Sequence, residues 1–271
     1  MGQTLQIGPL TLAWSYVILL ISWFAGTQLS DYLARRRGLK QDPHGWRIAI
    51  IGLLAARLAF VAQYESAYST NPWSIIDIRD GGWEPMAGLA AIAAYVLALW
   101  VWRSASAKAC TAGAVLFSAI WLGGNATLAA LTPSNATLPQ FSGVALDAQS
   151  ISLPTLQGKP VVVNLWATWC PPCRREMPAL MAAQKAHPEI RFVWVNQGEK
   201  PEVVLRYIQQ IGMSPSDVLL DGDGSLSRMV QQRALPTTLF FNAQGKQVAV
   251  RSGELSTATL TQHIEQISSP R

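Results

Sequence analysis

Four apolar stretches, at about residues 10–29, 46–63, 86–103 and 109–131, constrain this chain more than anything else in it. Each approaches the ~20 residues that an α-helix needs to cross a bilayer. Half of all residues are hydrophobic and only 14% are charged, and the charges are scarce mainly before residue 132. Buried helices of a soluble core would also give such runs. Tryptophans near several ends (Trp46, Trp73, Trp83, Trp100 and Trp102) instead match the aromatic belts of membrane interfaces. The first stretch has no basic start and three more follow it, so it reads as a span rather than a cleaved signal peptide. Residues 1–131 are therefore expected to form a bundle of four transmembrane helices.

The loops predict an orientation. Arg35, Arg36, Arg37, Lys40 and Arg47 lie between the first two spans, and Arg103 and Lys108 between the last two. The middle loop holds Glu65, Asp77, Asp80 and Glu84 against a single Arg79. Lys and Arg concentrate on the cytoplasmic side, so the first and third loops face the cytoplasm and both termini face out. This places the C-terminal half in an oxidising compartment, the periplasm or its equivalent. The net charge of +5 comes largely from those cytoplasmic loops, and no nucleic-acid partner is expected.

The second half is a different material. Residues 132–149, with Pro133, Ser134, Asn135, Pro139 and Gly143, have linker composition, and a folded domain is expected over 140–271. Within it, Lys159 to Ala167 reads as a short, fully buried β-branched strand. Arg174 to His187 carries Met177, Leu180 and Met181 at helical spacing. Between them stands Trp169-Cys170-Pro171-Pro172-Cys173. Two cysteines three apart on a first helical turn share one face, close enough to form and break a disulfide. Cys170 falls at the helix N-terminus, where unpaired N–H groups and the helix dipole stabilise a thiolate. Pro171 and Pro172 suit the first turn, because the N–H groups they lack would be unpaired there anyway. They also remove two possible donors to the thiolate, which predicts a moderate depression of its pKa.

Other uses of the pair fit less well. Zinc would need two more Cys or His ligands, but Cys110 sits in an apolar segment and His187 and His263 are isolated; no metal is expected. Haem attachment would place a histidine where Arg174 stands. A purely structural disulfide rarely closes so small a loop at a strand-to-helix junction. The pair reads as a redox dithiol that needs no cofactor.

Val163 to Pro178, Asn164-Leu165-Trp166-Ala167-Thr168-Trp169-Cys170-Pro171-Pro172-Cys173-Arg174-Arg175-Glu176 at its centre, resembles the TlpA/ResA-type thiol-disulfide oxidoreductases of the thioredoxin fold. Ser152 to Pro160 and Ala234-Leu235-Pro236-Thr237-Thr238-Leu239-Phe240-Phe241 belong to the same pattern. The resemblance implies an α/β thioredoxin-fold domain in which Cys170 attacks and Cys173 resolves. It implies that Pro236 is a cis-proline facing the disulfide, and that Glu176 shuttles protons to Cys173. Thioredoxin has a buried aspartate where this chain has Asn164, and an amide cannot accept that proton, which leaves Glu176 as the candidate. Trp169, Asn164, Pro171 and Pro172 are the supporting residues. The resemblance further implies disulfide-bearing clients, such as apocytochromes c or copper-site assembly proteins, and recharging by a membrane thiol-reducing electron donor.

The rest of this half predicts strands at Arg191–Val195 and Val218–Leu220 and helices over Pro201–Ile211 and Leu226–Arg233. A hairpin is expected from Thr238–Asn242 and Gln247–Arg251, and a last helix capped by Ser256. Asp221-Gly222-Asp223-Gly224 lacks the closing glutamate of a calcium loop and reads as a turn.

The membrane half resembles prolipoprotein diacylglyceryl transferase (Lgt) in Ile7-Gly8-Pro9-Leu10 with Trp14 and Tyr16. Ala55-Ala56-Arg57-Leu58-Ala59-Phe60-Val61, Asn71-Pro72, Ile75-Ile76 and Gly81-Gly82-Trp83 continue the likeness. The Lgt histidine is missing from Pro85-Met86-Ala87-Gly88-Leu89, and the later arginine-and-asparagine signature is absent, which argues against diacylglyceryl transfer. Arg57 is an arginine within a span, which is costly and usually has a role: binding a lipid phosphate, or pairing with carboxylates or carbonyls to hold the bundle. Cys110 stands alone and cannot relay electrons, which takes an exchanging pair.

The expected activity is a membrane-anchored disulfide reductase. Three alternatives stay open: a disulfide-donating oxidase, a lipid-binding Lgt-like protein with an accessory domain, and a chaperone or copper-binding module.

Overall fold

The computed structural model describes residues 4–7, 10–39, 44–69, 72–131, 136–232 and 234–269. Gly8, Pro9, Lys40, Asn71, Arg233 and the linker residues Pro133 to Asn135 lie outside the described residues, as does the side chain of Arg79. The chain divides into two compact units. One takes in the described residues from 4 to 76 and 82 to 131; the other takes in 77–81 and 136–269.

The first unit opens with a hairpin of β1 (Thr4–Ile7) and β2 (Leu10–Ala13), followed by α1 (Trp14–Arg36), α2 (His44–Gln63), the short α3 (Glu65–Ser69), α4 (Pro85–Val101) and α5 (Ala107–Leu131). By length and composition α1, α2 and α5 can each cross a membrane; α4 is equally apolar but has 17 residues. The first apolar stretch differs from its sequence outline at both ends. Residues 10–13 pair as a strand with residues 4–7. The helix also outlasts the apolar run, because nothing from Ser30 to Arg36 breaks it before Gly38, whose φ is +80°.

Small residues let these helices approach closely. The buried stripe of α1 is Ser22, Gly26, Ser30 and Ala34, four residues apart. A Cβ on Gly26 would fall 2.7 Å from the Gly113 carbonyl oxygen on α5, and one on Gly88 of α4 would fall 2.9 Å from that of Gly52 on α2. Association through small residues is how helices pack where lipid removes the hydrophobic drive between them.

The second unit is built on one mixed sheet. Its elements are β3 (Ser142–Val144), β4 (Ser150–Ser152), β5 (Val161–Trp166), α6 (Pro171–Ala186), β6 (Arg191–Gln197), α7 (Pro201–Ile211), β7 (Val218–Asp221), α8 (Ser225–Met229), β8 (Thr237–Phe241), β9 (Gln247–Ser252) and α9 (Thr257–Ser268). The five-stranded sheet runs β7-β6-β5-β8-β9, with β5, β6 and β7 parallel and β8 and β9 antiparallel additions. This is the thioredoxin-like arrangement. The helix expected at 226–233 is only Ser225–Met229, because Gln231 takes a φ of +55° that a helix cannot continue.

Both faces of β5 are buried, so it reads as an unbroken apolar run rather than an alternation. Val161, Val163 and Leu165 join the core with Leu153, Leu219 and Leu226. Val162 and Trp166 point the other way, into the core shared with α6, α7 and α9. Asn164 has the same parity as Val162 and Trp166, so a single amide is placed in the layer beneath α6.

Candidate functional site

The strand-to-helix turn creates the site. Cys170 is the N-cap of α6, with Pro171 and Pro172 as its first two helical residues. The Cys173 N–H donates to Cys170 Sγ at 3.3 Å, so the first amide left free by the two prolines is aimed at that sulfur. Cys170 and Cys173 are disulfide-bonded, with Cα atoms 5.3 Å apart. The two differ in access: Cys170 is 3% exposed and Cys173 is 0%, while neighbouring Trp169 is 67% exposed. Both cysteines are thus buried, with the small exposed fraction on Cys170. The Leu235–Pro236 peptide is cis; Pro236 enters β8, and Leu235 packs against the core that holds both cysteines.

One helical turn after Cys173, Glu176 is 1% exposed. Its Oε1 accepts from Asn164 Nδ2 at 2.8 Å and its Oε2 from the Leu255 N–H at 2.9 Å. Burial raises its pKa from 4.5 to about 7; the Leu255 and Asn164 hydrogen bonds and the charge of Arg251 pull it down, and the charge of Glu254 pushes it up. Asn164 is held in turn by its cross-strand partner on β8, donating from Nδ2 to Thr238 Oγ1 at 2.9 Å. A carboxyl that titrates near neutral, three residues from a buried thiol on one helix face, can take and return a proton at physiological pH.

A second carboxylate braces the approach to Cys170. Glu199 accepts from the Thr168 N–H at 2.7 Å and Thr168 Oγ1 at 2.5 Å, and from Asn196 Nδ2 at 2.7 Å. Sequence reasoning missed Glu199. Its signal was faint, an acidic residue just past the end of a parallel strand, the edge where α/β sheets place their sites. Asp221, by contrast, acts only locally, where its carboxylate accepts from the Ser225 and Leu226 N–H groups and caps α8.

Cys170, Cys173, Glu176 and Asn164 thus come together, with Trp169 at the rim. Arg57 belongs to the other unit. It is 6% exposed and donates to the carbonyls of Ile75 (Nε, 3.0 Å), Gly82 (Nη1, 2.7 Å) and Ser74 (Nη2, 3.2 Å). Its guanidinium also lies 5.4 Å from the Tyr68 ring centroid and 5.9 Å from that of Trp83.

Comparison with known proteins divides the chain at the same place. Residues 3–126 match the prolipoprotein diacylglyceryl transferase family and residues 135–250 the AhpC/TSA family. The thiol-disulfide oxidoreductase ResA of Halalkalibacterium halodurans is 32% identical over 124 residues, 45% of this chain and 70% of that protein. ResA of Bacillus subtilis is 30% identical over 161 residues, 58% of this chain and 86% of its own. The structure of MTB dsbF in its mixed oxidized and reduced forms aligns with a TM-score of 0.46 at 29% identity, over 49% of this chain and 100% of that one. Behind a segment that matches the Lgt family, the chain belongs to the ResA family of thiol-disulfide oxidoreductases.

Proposed function

We propose that this thiol-disulfide oxidoreductase works as a reductase on the periplasmic side of a bacterial inner membrane, with 1–131 as anchor, 132–149 as linker and 140–271 as the catalytic domain. The basic loops before α2 and before α5 support that orientation. Cys170 thiolate attacks a client disulfide and forms a mixed disulfide, releasing one client thiolate. Cys173 passes its proton to Glu176 and attacks Cys170 Sγ, which closes the internal disulfide and frees the second client thiolate. In this reading the cis-proline Pro236 faces the reacting pair, and the backbone before it pairs with a client strand. Trp169, Pro171 and Pro172 shape the rim and the helix start, and Asn164 supports Glu176 from beneath. The similarity to ResA proteins supports clients of the cytochrome c or copper-site assembly kind, and a membrane thiol-reducing donor that recharges the dithiol. Lipid surrounds the helices and is the remaining partner.

The observation that carries this reading is the buried Glu176 carboxyl, poised near neutrality one turn from the buried Cys173. The test is the reduction potential of the full chain in detergent micelles, by equilibration with glutathione or dithiothreitol. A value near thioredoxin's, about −270 mV, supports a reductase; a value near −120 mV reverses the direction and makes the chain a disulfide donor.

A further inference from the structure

Asn164 is a buried side chain used on one side only. Its Nδ2 serves both Glu176 Oε1 and Thr238 Oγ1, while its Oδ1 is buried with no hydrogen-bond partner among the described residues. That arrangement suits an ionised Glu176, since a carboxylate only accepts. It does not suit the acid. Oε2 is held by the fixed backbone N–H of Leu255, so an added proton goes to Oε1, the oxygen facing the side chain. An unmoved amide would then set N–H against O–H, two donors face to face, with the amide's own acceptor idle.

We propose that Asn164 is a positioning residue whose side-chain amide turns over as Glu176 changes protonation state, presenting Nδ2 to the carboxylate and Oδ1 to the acid. The proposal rests on the reading of Glu176 as the proton acceptor for Cys173. Half a turn about the terminal torsion exchanges the two amide atoms with little change of shape. Oδ1 then accepts from Glu176 Oε1–H and, on its second lone pair, from the hydroxyl of Thr238, whose proton swings from elsewhere to point at it. Thr238 is suited to this because a hydroxyl both donates and accepts, and register fixes it directly opposite Asn164. In either orientation one polar atom of the amide lacks a partner, so the proton on Glu176 decides between two nearly balanced states.

The step conserves its proton. Cys173–SH and Glu176 carboxylate become Cys173 thiolate and Glu176 acid; the thiolate then attacks Cys170 Sγ and expels the client thiolate. The groups bearing on Glu176 from the elements around it are Asn164 on β5, Leu255 and Glu254 before α9, Arg251 on β9 and Cys173 on its own helix. In the oxidised chain, where Cys173 is held in the disulfide, none of the others can offer a donor in one state and an acceptor in the next. A thioredoxin-type aspartate at 164 would instead set a second carboxylate against Glu176.

The experiment is a pH titration, from 5 to 9, of the full oxidised chain in detergent micelles, deuterated and labelled at Asn 13Cγ and Glu 13Cδ. Signals are assigned by their loss in Asn164→Leu and Glu176→Gln. The expected result is that Asn164 13Cγ moves downfield on acidification, as Oδ1 becomes an acceptor, with the same midpoint as Glu176 13Cδ, and that Glu176→Gln abolishes the movement. An Asn164 13Cγ signal that stays flat while Glu176 titrates overturns the amide rotation and leaves Glu176 as acceptor. A Glu176 signal with no midpoint in the range overturns both.

Discussion

Arg175 grips Glu254 with both arms of its guanidinium, Nε reaching Oε1 at 3.1 Å and Oε2 at 2.9 Å and Nη2 reaching Oε2 at 2.5 Å. Glu254 immediately precedes Leu255, whose N–H holds Glu176. The fork therefore fixes the segment that delivers a hydrogen bond to the titrating carboxyl, and offsets a charge that pushes that carboxyl's pKa up. Arg175→Ala removes both effects, and each acts to raise Glu176 above about 7. Because the Arg175 side chain is 47% exposed, solvent screens the change and holds it to less than about one pH unit. A carboxylate is the form that takes the Cys173 proton, so resolution at pH 7 slows. The measurement is the pH profile of mixed-disulfide resolution with a small fluorescent disulfide. An inflection that stays put or moves down would show that the pair does not act on Glu176.

Glu176→Gln keeps the size and one acceptor oxygen but cannot accept a proton. Removing a general base typically slows a step by about 10²-fold or more. The mixed disulfide on Cys170 should therefore build up, visible as a covalent adduct after acid quench, and the inflection near pH 7 should vanish. Adduct levels and a pH profile like those of the parent chain would remove Glu176 from the mechanism.

The same carboxyl sets a pH dependence of stability. Its folded pKa of about 7 stands above the unfolded value of 4.5, so folding takes up a proton between the two. The associated stability is fully present below pH 4.5 and is lost as pH rises through about 7. At 1.36 kcal/mol per pH unit the total is roughly 3 kcal/mol. Thermal unfolding of the full chain in micelles should shift to lower temperature between pH 5 and 8, and Glu176→Gln should flatten that trend. A trend of the same size in the variant would assign it to other groups.

Glu199 makes a prediction of a different kind. Thr168→Val removes one of its three hydrogen bonds and costs about 1 kcal/mol, whereas Glu199→Ala strands the Thr168 N–H and Asn196 Nδ2 together and costs more, about 2–3 kcal/mol. Since Thr168 is two residues before Cys170, both variants should also shift the reduction potential, the alanine variant further. Lowered melting temperatures with unchanged potentials would make Glu199 a brace for the fold alone.

Much of this was legible in the residues. The strand, the Cys-Pro-Pro-Cys turn and the helix each carry a local signal: a β-branched run, prolines suited to a first turn, and an apolar stripe. Ser256 likewise caps α9 in a reciprocal box with Thr259. The pairing of Asn164 with Glu176 was not legible, because it depends on which face of β5 lies under α6 and on how β8 registers against it. The brace at Glu199 escaped for the same reason: 31 residues separate it from Thr168, and only the parallel pairing of β5 with β6 brings their ends together.

Arg57 shows how the structure weighs two roles that a sequence leaves level. Its donors at Nε, Nη1 and Nη2 each meet a backbone carbonyl between Ser74 and Gly82, in the segment that links α2 to α4. Ser74 and Ile75 end a single 3-10 turn (Pro72–Ile75), so Arg57 ties the end of that turn to Gly82. A lysine keeps the charge but concentrates its donors on one atom and cannot span the three positions. Arg57→Lys should therefore lower the melting temperature of the full chain in micelles made without anionic lipid, and Arg57→Met should lower it further, since a hydrogen bond from a charged donor contributes about 1.5–3 kcal/mol. If the guanidinium serves a lipid phosphate instead, the variants will match the parent in such micelles and fall behind only when phosphatidylglycerol is supplied. Destabilisation without anionic lipid assigns Arg57 to the loop; destabilisation that requires the lipid assigns it to the headgroup.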